Sequence, residues 1–188
     1  EPVGIDFFDY TKRLSKAVSV VGGDQVPVVI AKRESGSDLI PEFVYVGDRF
    51  LIDSHNKDSI FIIDESGWDQ QIFDNDNVVP LFKSINDFYF SDKQSDRVNF
   101  LQIDCNEINH ENLQKIKTFK NVVLILETHH TNGFADQRAA FIKLIKEEID
   151  IPVIIKRSYK ENDLEDIQLK SASDIGGLFL DGLGDGIW

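Results

Sequence analysis

Asp174-Ile175-Gly176-Gly177-Leu178-Phe179-Leu180-Asp181-Gly182-Leu183-Gly184-Asp185-Gly186-Ile187-Trp188 is the stretch on which the reading of this chain turns. An apolar run of strand length, Leu178 to Leu180, lies between a glycine pair and an Asp-Gly-Leu-Gly-Asp-Gly turn. A buried parallel strand enters and leaves a sheet with this kind of punctuation. Gly182, Gly184 and Gly186 read as a tight turn that needs positive φ. The chain stops at Trp188, begins at Glu1 and contains no methionine, so an excised piece of a longer protein is expected.

Upstream, strands and helices alternate. Strand Pro152 to Ile155 precedes a helix opened by Asn162-Asp163-Leu164-Glu165, which resembles a capping box. A helix from Phe134 to Glu148 carries Phe134, Phe141, Ile142 and Ile145 at helical spacing, with Ile149 continuing the pattern. Before it come strand Val122 to Leu126, a short helix capped by Asn109 with Leu113 and Ile116 inward, and strand Val98 to Ile103. Residues 64 to 97 are irregular and acidic; with Trp68 and Phe88-Tyr89-Phe90 they read as a long excursion or a peripheral helix whose aromatics cap the core.

Nearer the start, Ile60 to Ile63 is a buried strand, and Phe43 to Val46 and Arg49 to Ile52 flank Gly47-Asp48 as a strand pair or a strand with a short return. Val26 to Ala31 is another strand. Phe7, Tyr10, Leu14, Val18 and Val21 predict a helix capped by Asp6 and ended by Gly22-Gly23. Alternating apolar strands and helices imply a mostly parallel sheet covered on both faces, either a barrel or a doubly wound layer. Residues 1–188 carry no internal linker or repeat and are expected to form a single domain.

With 20 basic and 33 acidic residues the net charge is −13. A surface this acidic repels phosphate backbones and anionic lipid, which argues against nucleic acid and membrane as partners. No apolar run approaches the ~20 residues that span a bilayer, and no charged-then-apolar leader opens the chain, so a cytoplasmic location is expected. The lone Cys105 excludes an internal disulfide and cannot by itself hold an iron-sulfur cluster, which takes about four protein ligands.

If the sheet is a barrel, chemistry belongs at the C-terminal edge of its strands. That edge offers Asp64 and Glu65, Asp104 and Cys105, Glu127 with His129 and His130, Lys156 with Arg157, and Asp181. Asp104, Glu127, His129, Lys156 and Asp181 are the candidate pocket, although polar residues follow strands in any α/β protein. Glu127 and His129 would share one face of an extended strand and could hold a metal, but no third ligand has characteristic spacing. Asp74-Asn75-Asp76-Asn77 starts like a calcium loop, yet Val78 takes a ligand position and the glycine is missing, so a solvated turn and no metal is expected. Lys156-Arg157-Ser158-Tyr159-Lys160 is the best local anion site or a rim patch for an acidic partner. Cys105, with no activating neighbour in sequence, reads as a buried structural thiol.

Gly176 to Ile187, preceded by Ile151-Pro152-Val153-Ile154-Ile155, resembles the end of the central insert domain in the three-domain form of (E)-4-hydroxy-3-methylbut-2-enyl diphosphate synthase. The likeness is most specific over the last stretch and extends, through strand order, to Val98. It implies a TIM-barrel-like (β/α) domain, trimmed or incomplete because a full barrel usually takes about 250 residues. It further implies a parent oxidoreductase of the non-mevalonate isoprenoid pathway that converts 2-C-methyl-D-erythritol 2,4-cyclodiphosphate. In such enzymes a first barrel binds substrate, and a C-terminal domain carries a 4Fe-4S cluster fed by ferredoxin or flavodoxin; both domains are absent here.

The family's catalytic barrel ends in a Gly-Asp-Thr-Ile-Arg-Val-Ser pattern that meets phosphate, matched here by Gly184, Asp185, Gly186, Ile187 and Trp188. Trp188 stands where that pattern has its Arg, so an anion-binding charge is lost. The resemblance therefore implies no catalytic residue and no cofactor in this segment, which would dock on the flanking catalytic barrel and iron-sulfur domains of its own chain. An independent α/β-barrel enzyme or small-molecule binder with its site at the strand edge is the alternative.

Overall fold

The structure is a computed structural model that describes residues 11–32, 40–47, 59–69 and 77–188. Eight strands run in parallel, each hydrogen-bonded to the next in chain order, and the last returns to the first: β1 (Val28–Lys32), β2 (Phe43–Gly47), β3 (Ile60–Asp64), β4 (Val78–Phe82), β5 (Asn99–Asp104), β6 (Val122–Glu127), β7 (Val153–Lys156) and β8 (Gly186–Ile187). This is a closed barrel. Among the described residues, helices cover it after β4 to β7: α1 (Ile85–Phe90), α2 (His110–Ile116), α3 (Gly133–Lys146), and α4 (Leu164–Ser171) continuing through a π-helical turn, Ala172–Gly176, into α5 (Gly177–Leu180).

The two sides of the wall explain why the strands are apolar throughout. Phe43, Ile62, Leu81, Phe100, Ile125 and Ile154 fill the barrel, with Phe43 and Phe100 edge to face at 5.1 Å. The alternate positions Leu101, Ile103, Leu124, Leu126, Val153 and Ile155 form a second core under the helices with Phe82, Leu113, Ile116, Phe141 and Leu144. A strand buried on both faces loses the polar alternation of a half-exposed one. α3 contributes Gln137, Ala140, Phe141 and Leu144 along one stripe. Gln137 is polar yet fully buried because its amide donates to the carbonyls of Leu126 and Lys156.

Several expectations are corrected. Leu178 to Leu180 is helix, not strand: Leu178 points into the outer core as part of α5. The closing strand is Gly186-Ile187, one turn later, after Gly182 and Gly184 supply φ of +72° and +96°. Gly186 sits where a Cβ would lie 2.7 Å from both the carbonyl oxygen and Cγ2 of Val28, so the seam closes backbone against backbone. Of the two readings of residues 64 to 97, the peripheral helix with core-capping aromatics holds, with Phe88 and Trp68 buried, and a strand precedes it. These residues supply β4 and α1, whose Phe88 packs edge to face on Phe82 at 5.0 Å. The barrel is thus closed rather than incomplete.

The predicted first helix is also absent from the residues described after Tyr10: Thr11 to Ala17 form no regular element, and Leu14 is 88% exposed. Val18 and Val21 instead pair across a tight antiparallel turn and enter the interior cluster, closing one end of the barrel. Asp6, Phe7, Tyr10 and the Arg49 to Ile52 run lie outside the described residues. α2 is capped by Asn109 as expected, whereas α4 is capped by Asp163, one residue after Asn162, through the Asp166 N–H.

Buried Asp185 ties this end together. Its carboxylate accepts from the Ser15 hydroxyl at 2.6 Å and the Val153 N–H at 2.9 Å, with the Arg13 guanidinium 3.7 Å away. Its own N–H donates to Val153, and its carbonyl accepts from Val28. Arg13 donates in turn to the carbonyls of Ile149 and Ile151. Removing one member of a buried pair leaves the other uncompensated. Asp185→Ala is therefore expected to lower stability by about 3 kcal/mol or more, read as a fall in the urea midpoint with an unchanged slope.

Candidate functional site

One step past the apolar filling, on each strand, the inward position turns polar or aromatic. Ile30, Phe43, Ile62, Leu81, Phe100, Ile125, Ile154 and Gly186 are followed two residues on by Lys32, Tyr45, Asp64, Lys83, Gln102, Glu127, Lys156 and Trp188. Because side chains alternate along a strand, these eight form one ring at the C-terminal mouth.

The ring is bonded to itself. Lys156 donates to Gln102 at 3.0 Å, Gln102 donates to Glu127 at 2.5 Å, and Lys156 and Glu127 approach to 3.5 Å. Ser158 reaches the other Glu127 oxygen at 3.4 Å. Across the mouth, Asp64 accepts from the Tyr45 hydroxyl at 3.0 Å and from Lys83 at 2.9 Å. Trp188 joins the halves, with Lys156 Nζ 4.0 Å from its ring centroid and the Tyr45 ring at 4.9 Å. A cation on a tryptophan face is held by the ring quadrupole and needs no anion there.

Burial pushes the Lys156 amine below its usual range; the Glu127 charge and hydrogen bond oppose that, and Lys83 and Lys32 add to it. Burial and Asp64 raise the Tyr45 hydroxyl. Burial alone would lower Lys83, but its partners Asp64 and Tyr45 outweigh it and the net shift is upward. Each ring carboxylate therefore already holds a lysine. Among the described residues the ring holds two lysine–carboxylate pairs, and Lys32 leaves it one positive charge in excess.

Of the five candidate pocket residues, the structure brings together only Glu127 and Lys156. Asp104 caps a short turn through the Asn106 N–H. β6 ends at Glu127, so the extended face it would have shared with His129 does not exist, and His129 is exposed. His130 is exposed too, its ring nitrogen accepting from Asn132. Asp181 follows a helix instead of a strand, lies at the opposite end of the barrel and pairs with Arg138 at 2.6 Å. Glu65 opens a single 3-10 turn. In the basic cluster, Arg157 is committed to Asp174 at 3.1 Å and to the Thr128 carbonyl at 2.9 Å.

Cys105 is buried, and burial with Asp136 and Asp104 nearby raises its thiol far above the range of reactive thiolates. Among the described residues no three His, Cys, Asp or Glu side chains are grouped to hold a metal ion; Asp74 to Asp76 lie outside that set. With one buried thiol, the residues of this chain do not fit an iron-sulfur cluster. No helix among the described residues is long and apolar enough to cross a membrane.

Sequence reading passed over Lys32, Tyr45, Lys83 and Gln102 as site residues. The available signal was position: each stands two residues beyond a buried inward side chain.

A closed parallel barrel with a self-paired mouth defines a TIM-barrel-like domain. No family model and no solved structure matches the chain. Among curated proteins it is 34% identical to 4-hydroxy-3-methylbut-2-en-1-yl diphosphate synthase (flavodoxin) of Parabacteroides distasonis, over 98% of this chain and 30% of that protein. The synthase of the same name from Phocaeicola vulgatus is 32% identical over 94% of this chain and 29% of its own length. That from Bacteroides thetaiotaomicron is 29% identical over 97% and 30%. The chain is thus a homologue of one segment of these synthases and spans about 30% of their length.

The pairing in the mouth is testable. Glu127→Gln removes the charge that holds the Lys156 amine up, so its pKa should fall below the value in the unsubstituted protein. An amine whose folded pKa lies below its unfolded value destabilises the fold at low pH. That penalty is relieved as pH rises through the folded pKa, and in the variant the relief should come at lower pH. Lysine side-chain NMR titration reads the shift; an unchanged Lys156 titration would contradict the pairing.

Proposed function

We propose that residues 1–188 form one structural and docking domain within a 4-hydroxy-3-methylbut-2-en-1-yl diphosphate synthase, inserted so that the flanking catalytic parts of the same chain close on each other. The observation that carries this reading is the mouth: where a catalytic barrel keeps open space and free charged groups, Lys156, Gln102, Glu127 and Trp188 satisfy one another. A match along almost the whole chain to only about 30% of the relatives supports the same reading. The reaction, reductive opening of the cyclic diphosphate, then belongs to the parent protein. Its 4Fe-4S cluster sits on cysteines outside this segment, with electrons from flavodoxin or ferredoxin, in the cytoplasm. The net charge of −13 keeps the barrel soluble and off anionic substrates.

The test uses the full-length enzyme, assayed without oxygen. Replacing the segment by a flexible linker should abolish turnover. The double substitution Glu127→Gln with Lys156→Met, which removes one of the two ion pairs of the mouth and leaves Asp64 with Lys83, should keep turnover within about twofold, a change in barrier of less than about 0.5 kcal/mol. A loss of about a hundredfold in the double variant, with its folding intact, would refute the structural role and point to a ligand at the mouth.

A further inference from the structure

Every helix of a barrel is expected to bury a stripe against its strands. α1, α2 and α3 do so, and α4 buries none of its side chains. It is held at its ends instead. Asp163 caps it, Lys170 pairs with Glu161, and Arg157 and Tyr159 reach Asp174 in the π-helical turn that follows. Eight residues make a marginal helix in water unless packing supplements propensity.

The opposite face of this element carries apolar surface. Leu169 is 64% and Leu180 80% exposed, while Leu178 and Gly177 face inward, against the outer core and the Phe134 ring. Between the two exposed leucines lie Ala172 and Ser173, also exposed, and Gly176, half-buried. A Cβ placed on Gly176 would meet no atom within 4 Å, so bare backbone is open to an approaching surface there. The result is an exposed stretch of small residues with a leucine at each end, open to an approaching surface.

We infer that this outward face of α4 and α5 is where the barrel docks on the remainder of its own polypeptide. The inference rests on the proposed docking role. What names the occupant is length: about 70% of each relative lies outside the matched segment and is tethered to it covalently. Tethering gives an effective concentration in the millimolar range, at which a narrow apolar face suffices. Charge narrows the partner surface. Across residues 160–174 five acidic side chains stand against Lys160 and Lys170, so a covering face apolar at its centre and basic at its edge fits it. The other exposed aromatic pair, Tyr89 and Phe90, is a weaker candidate because the two rings pack on each other at 5.0 Å and Tyr89 leans on Phe119.

Hydroxyl-radical footprinting of the full-length protein, read residue by residue by mass spectrometry at two concentrations, tests this. Relative to the intrinsic reactivity of each residue type, Leu169 and Leu180 should oxidise several-fold more slowly than Phe90 and Leu14, equally at both concentrations. Protection of Phe90 or Leu14 with Leu169 and Leu180 fully reactive would overturn the choice of face and leave the docking role standing. Full reactivity at all four would overturn both. Protection that disappears on dilution would assign the face to a second copy of the chain and overturn the inference.

Discussion

The barrel depends on one seam, where the backbone of Asp185 and Gly186 is inserted between Val28 and Val153. The other seven strands each bring four to six residues, but β8 brings two, and one of them is glycine. It has almost no apolar area to bury, so polar contacts replace that term. The Asp185 carboxylate takes an N–H from β7 and a hydroxyl from the N-terminal segment, while its main chain bonds to Val153 and Val28. Arg13 supplies the countercharge and ties the carbonyls that precede β7. One buried carboxylate thus fixes the closing strand, the plug of Val18 and Val21, and the start of β7.

The two ends of the barrel use charge differently. At the plugged end, buried charges satisfy backbone groups and hold segments in place. At the mouth, Lys83, Lys156, two carboxylates, an amide and two aromatics hold each other within one ring. A catalytic mouth needs groups left unsatisfied until substrate arrives, which is costly in the resting protein. Internal pairing of Asp64 with Lys83 and of Glu127 with Lys156 removes that cost. Trp188 illustrates the exchange: a flat apolar ring under Lys156 occupies volume that a ligand would need.

Sequence was most legible from β5 to β7. There, long apolar strands alternate with helices whose caps and periodicity are unambiguous, and boundaries fall within a residue or two. β4 was obscured by Pro80, which normally argues against a strand interior but here faces Ile63 in the ladder. β8 was invisible because Gly186-Ile187 carries a single side chain, and the apolar run that resembled a strand, Leu178 to Leu180, belongs to a helix continued through a π-turn. The three- and four-residue spacing of Leu14, Val18 and Val21 fits a helix, yet it is equally the spacing of a tight turn that drops two valines into a barrel. The mouth ring was half legible. Glu127 and Lys156 follow long strands, whereas Lys83, Gln102 and Tyr45 become visible only once register shows which positions point inward.

The connectivity of the seam also sets an order of events for self-assembly. Ser15 and Asp185 are 170 positions apart, and β1 meets β8 across nearly the whole chain, whereas β5, β6 and β7 meet close neighbours. Loop-closure entropy makes distant contacts late and near ones early. The central strands and their helices should therefore condense first, leaving β1 and β7 as open edges until the final residues arrive. During that interval two apolar edges are free to pair wrongly. The short, glycine-bearing closing strand, anchored by a carboxylate rather than by greasy side chains, is itself a poor template for another chain.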